Sequence, residues 1–77
     1  MRFILKGKAY DLTKEKVEEK MQKVPPEVIR QYYVIVNGKK YPPKQVISKV
    51  LGLGRVEFTT MDAVNILRRL GFEIEQL

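Results

Sequence analysis

The chain has 77 residues, with fifteen basic and nine acidic side chains and no histidine, cysteine or tryptophan. That length supports one small domain over residues 1–77, whose core covers about 60% of the surface its unfolded chain exposes. The composition excludes a disulfide framework, a Cys/His zinc site, a thiol nucleophile and a His-based triad, so neither metal nor cofactor is expected.

No apolar run approaches a membrane span, and the start Met1-Arg2-Phe3-Ile4-Leu5-Lys6 lacks the features of a signal peptide. Absent thiols fit a reducing compartment, and a cytoplasmic location is the expectation. Residues 3–10 read as a short hairpin, with Phe3-Ile4-Leu5 outbound, Lys6-Gly7-Lys8 turning and Ala9-Tyr10 returning. A helix is predicted over 13–24, with Thr13 as N-cap, Glu15 in the first turn, and Leu12 and Val17 spaced as a hydrophobic staple. Its stripe Val17, Met21, Val24 is narrow, and Pro25-Pro26 ends it. Pro26-Glu27-Val28-Ile29-Arg30 reads either as a further helical turn or as a plain connector.

The clearest element is the hairpin 32–41. Tyr32-Tyr33-Val34-Ile35-Val36 is aromatic and β-branched, Asn37-Gly38 tolerates positive φ at both turn positions, and Lys39-Lys40-Tyr41 returns. Pro43 suits the first position of a helix over 43–51, whose face is Val46, Ile47, Val50 and Leu51. Gly52 and Gly54 close it, and Val56-Glu57-Phe58 reads as a short strand. Thr59 and Asp62 form a capping-box pair for a third helix over 60–70, with Ala63, Ile66, Leu67 and Leu70 as its face and Gly71 after its end. Phe72-Glu73-Ile74-Glu75 alternates as a last strand. The expected fold is α+β, a small and mostly antiparallel sheet with about three helices packed on it. At an offset of 31, Ile4, Gly7, Lys8 and Tyr10 echo Ile35, Gly38, Lys39 and Tyr41, through either duplication or chance.

Catalysis has poor material. Ser48 is the only serine and falls mid-helix, and the glutamates of 15–19 alternate with lysines as a solvated face. Glu57 and Asp62 fit a strand end and a helix cap better than an acid–base pair. The expectation is therefore a protein that is not an enzyme. Binding has better material, because residues 37–56 carry Lys39, Lys40, Lys44, Lys49 and Arg55 with no acid. A one-sign segment points to an anionic partner, the other reading being a solubilising surface. A lysine near a helix N-terminus opposes the dipole, so Lys44 makes sense if a phosphate binds there. Lys39, Lys40, Lys44, Lys49 and Arg55 are thus expected to track a nucleic-acid backbone, flanked by Arg30, with Tyr41 either stacking on a base or sugar or, as its place in the hairpin favours, packing its ring across the hairpin and leaving its hydroxyl for a partner.

The run Tyr33-Val34-Ile35-Val36-Asn37-Gly38-Lys39-Lys40-Tyr41-Pro42-Pro43-Lys44-Gln45-Val46-Ile47, with Asn65-Ile66-Leu67-Arg68-Arg69-Leu70-Gly71-Phe72-Glu73-Ile74, resembles the N-terminal head domain of ScoMcrA-like HNH endonucleases. Those restriction enzymes cut modified DNA. The likeness covers roughly residues 30–75, and Lys39, Lys40, Tyr41 and Lys44 occupy its motif positions. Phe58-Thr59-Thr60 is shorter than the corresponding family stretch, and the module is expected to stand alone, without a nuclease domain. The resemblance implies an accessory DNA-binding head rather than a nuclease. The expected partner is double-stranded DNA held through phosphates. The alternative is a protein-interaction module that binds an acidic partner or forms a homodimer through an exposed strand edge. Membrane attachment is not expected.

Overall fold

Two-residue turns organise the chain twice. Lys6-Gly7 joins β1 (Arg2–Leu5) to β2 (Lys8–Asp11), and Asn37-Gly38 joins β3 (Tyr32–Val36) to β4 (Lys39–Tyr41). All four turn residues have positive φ, between 52° and 80°, the geometry whose twist matches antiparallel strands. Each hairpin leads into a helix: α1 (Lys14–Lys20) and α2 (Pro43–Leu51). A 3-10 turn (Arg55–Glu57), α3 (Thr60–Leu70) and β5 (Ile74–Gln76) complete the chain. The computed structural model describes residues 1–77.

The fold is α+β with antiparallel pairing throughout and three helices, as the sequence indicates. The strands form two sheets rather than one. β1 and β2 stand as a pair, and β5 joins the far side of β3 to give the order β4-β3-β5. Both sheets share one core, in which Phe3, Leu5 and Leu12 pack with Val34, Val36, Ile47, Leu67 and Phe72. The staple residues Leu12 and Val17 are both buried, and Thr13 Oγ1 accepts the Lys16 N–H at 3.1 Å.

Two local predictions need correction. The first helix stops at Lys20, not at residue 24, because Met21 caps it and Lys23 turns left-handed at φ 64°. Residues 26–30 are then a connector without regular structure. Residues 56–58 do not form a strand: Arg55–Glu57 coil into the 3-10 turn, where Glu57 Oε2 accepts the Gly54 N–H at 2.6 Å. Only Phe58 of that segment turns inward.

The capping box at α3 is complete, with Thr59 Oγ1 accepting from Asp62 N–H at 3.1 Å and Asp62 Oδ2 accepting from Thr59 N–H at 2.9 Å. The Thr59 N–H holds the Asp62 carboxyl below its ordinary value, and Lys6, 3.7 Å away, acts in the same direction. That contribution to stability is present at neutral pH and is lost as the pH falls below the ordinary aspartate range. Thr59→Ala is expected to cost about 1 kcal/mol and lower the thermal midpoint by about 4–8 °C, read by circular dichroism.

Lysines of α1 reach the C-terminal ends of both other helices. Lys20 Nζ lies 3.5 Å from the Val50 carbonyl, and Lys14 Nζ lies 3.5 Å from the Gly71 carbonyl and 5.3 Å from the centre of the Phe72 ring. Each places a cation where the helix dipole is negative.

Candidate nucleic-acid interface

The run Tyr41-Pro42-Pro43-Lys44-Gln45 divides between inside and outside. Tyr41 follows Val36 and Val34 along the inner face of the sheet and is fully buried. Its hydroxyl donates to the Val24 carbonyl at 2.7 Å, with the Met21 carbonyl at 3.4 Å. Gln45, four residues on, is also buried: Nε2 donates to the Pro25 carbonyl at 2.9 Å and Oε1 accepts the Glu27 N–H at 3.0 Å. These two side chains fasten the connector to α2. Lys44 points the other way, with its ammonium 5.4 Å from the Phe58 ring centre.

The fastened connector forms one wall of an open groove of about 540 Å³. Arg30 and Lys44 both line it, although they are fourteen positions apart in the chain. Arg55, Gln31, Tyr32 and Thr60 contribute further polar groups. Pro42 and Pro43 bring the start of α2 to the same place, with no side-chain cap and no acid in the first turn. The side chains of Arg30, Gln31, Tyr32, Lys44 and Thr60 make no hydrogen bond or ion pair within the protein.

Arg55 is different. Its guanidinium makes a two-pronged contact with Glu27, at 2.8 and 2.7 Å. The Arg55 hydrogen bond holds the Glu27 carboxyl below its ordinary value, and Glu27 raises the Arg55 guanidinium in return. Both partners are about half exposed, so the pair adds at most about 1 kcal/mol to stability. Its larger effect is on charge: the 37–56 segment lacks its own acid, yet Glu27 neutralises Arg55 from outside it. The pair also separates the groove from a second one of about 410 Å³, lined by Lys49, Ser48 and Gln45. The hydroxyl of Ser48 is spent on the Leu53 carbonyl at 2.6 Å.

The expected phosphate-tracking row is therefore broken up. Arg30 and Lys44 meet in one groove, Lys49 lies beside the second, and Arg55 is paired between them. The Tyr41 ring is out of reach of any partner, because a core position fixes it. Lys39 and Lys40 are adjacent on β4 and so point to opposite faces of the sheet. Lys40 sits 5.0 Å over the Tyr33 ring on the outer face, while Lys39 is exposed at the end of the inner one. Gln31, Tyr32 and Thr60 were not among the residues singled out from sequence. Only Tyr32 carried a signal, since its alternation with Tyr33 separates the two rings onto opposite faces.

No group of acidic side chains is arranged to hold a metal ion, and no helix is long and apolar enough to cross a membrane. A family model described as SCO5918-like matches residues 1–77. No curated protein and no solved structure matches the chain.

Proposed function

The chain belongs to the SCO5918-like family, and we propose that it is a small DNA-binding module that holds the phosphate backbone without catalysis. The observation that carries this reading is the meeting of Arg30 and Lys44 in one groove, whose single acid, Glu27, is already satisfied by Arg55. Two unpaired cations beside the uncapped start of α2 form a favourable seat for a phosphate. Lys49 beyond the Glu27–Arg55 pair, and Lys39 and Lys40 on the second hairpin, extend positive charge away from that seat and attract the polyanion. The likeness of residues 30–75 to the ScoMcrA-like head domain supports an accessory role in a restriction or other DNA-processing system. In this reading Tyr41 of the motif, with Gln45 just beyond it, holds the connector, and the Lys44 position meets the DNA.

The test is fluorescence anisotropy with a labelled duplex over a series of salt concentrations. The natural chain is expected to bind with affinity that falls steeply with salt. An Arg30→Ala, Lys44→Ala double variant should lose affinity and about two units of the log–log salt slope. Equal binding by both proteins would remove the groove from the reading. Absence of duplex binding, together with salt-insensitive self-association or capture of an acidic protein, would favour the protein-interaction alternative.

A further inference from the structure

The tyrosines separate the roles of the aromatic rings. Tyr41 is fully buried, and Tyr10 stacks on Phe3 with ring centres 5.7 Å apart. Tyr33 is covered by the Lys40 ammonium. Of the three tyrosines that are not fully buried, Tyr32 is the one with neither an aromatic nor a cationic partner, and its hydroxyl makes no hydrogen bond. It is half-buried, which holds the ring in place, and it lines the same groove as Arg30 and Lys44. Its neighbour Gln31 presents a free side-chain amide to that groove, while its backbone carbonyl accepts the Leu77 N–H at 2.8 Å and so fixes the segment to the sheet edge.

A phosphate alone needs only the two cations. A half-buried ring with no aromatic or cationic neighbour and a free amide beside them match a larger ligand with a phosphate at one end and a flat, hydrogen-bonding group at the other. A volume of about 540 Å³ falls within the range of small-ligand sites. We infer that this groove accepts one nucleotide unit of an unpaired strand, with its phosphate between Arg30 and Lys44 and its base on Tyr32 beside Gln31. This rests on the DNA-binding reading and narrows it. Bases in a duplex are stacked on one another and cannot offer a face to Tyr32, whereas unpaired bases stack on aromatic side chains without strong sequence preference.

The experiment compares a labelled oligothymidine, an abasic strand of equal length and a duplex, each titrated with the natural chain and with Tyr32→Leu. The abasic strand keeps the phosphates and removes the bases. The expected result is that oligothymidine binds the natural chain about tenfold more tightly than the abasic strand does, and that Tyr32→Leu abolishes this difference without changing the salt slope. Equal binding of the oligothymidine and the abasic strand by the natural chain overturns the inference while leaving phosphate binding intact. That comparison needs no variant, so it stands even if Tyr32→Leu fails to fold. Unlabelled thymidine monophosphate is the competitor. If it displaces the oligothymidine at concentrations matching the strand's own affinity, the groove takes a free nucleotide and the DNA-binding reading fails instead. If no probe binds, both readings fall.

Discussion

Tyr41→Ala is expected to remove a large share of the domain's stability, while Tyr41→Phe folds and binds DNA like the natural chain. A domain of this size has a stability of about 4–12 kcal/mol. Removing a fully buried ring costs about 3–5 kcal/mol, because the cavity left by an aromatic side chain closes only in part. The thermal midpoint should fall by about 12–40 °C. Tyr41→Phe keeps the ring and loses only the donor to the Val24 carbonyl, at a cost of about 1–2 kcal/mol. Thermal melts followed by circular dichroism separate the two variants, and anisotropy on the folded Tyr41→Phe protein completes the test. A loss of affinity by Tyr41→Phe without loss of stability would mean that the hydroxyl reaches a ligand rather than the connector.

Glu27→Lys is expected to strengthen DNA binding and make it more sensitive to salt. The substitution releases the Arg55 guanidinium and adds a second cation at the junction of the two grooves. Two further phosphate contacts add about two units to the salt slope, so the ratio of affinities at about 50 and 200 mM salt should grow about tenfold. Glu27→Gln releases Arg55 alone and should produce about half of that change in slope. The Glu27 carboxyl is held below its ordinary value in the folded protein, so the ion pair stabilises above the ordinary glutamate range and is lost as pH falls through the lowered value. The small stability difference between the natural chain and Glu27→Gln should therefore vanish in acid, as a pH series of urea titrations will show. Unchanged binding by Glu27→Lys would mean that DNA does not approach the groove junction.

The elements most legible in the sequence are those whose signals are local. Asn37-Gly38 announces its turn because both residues accept positive φ, and Thr59 with Asp62 announces a helix start because each side chain meets the other's backbone. The same locality explains the errors. Charge spacing within residues 37–56 marks Arg55 as free, but Glu27 reaches it from 28 positions upstream. Tyr41 lies beside three lysines in sequence, yet strand alternation places it with Val34 and Val36, and its hydroxyl finds carbonyls 17 and 20 positions earlier. Nothing in the pattern of β5 indicates that it pairs with β3 rather than extending the first hairpin. The groove is legible in the sequence only through Arg30, Lys44 and Arg55, because its form depends on a connector with no periodicity, held by the buried amide of Gln45.

The dependence of the second hairpin on the first helix bears on where the unit of folding ends. Asn37 donates its side-chain amide to the Glu18 carbonyl at 2.8 Å, Tyr41 donates to carbonyls just beyond α1, and α1 returns Lys20 and Lys14 to the ends of α2 and α3. Residues 32–77 thus contain two helices and a complete three-stranded sheet but not the groups that finish them. Cut away from the first 24 residues, they would lose Val17 and Met21 from the core and leave a buried phenol without its acceptors. Residues 32–77 are therefore not a self-sufficient part. A protein that carried only that part would need another segment in the place of α1, and that borrowed segment would inherit control over the connector and the width of the groove.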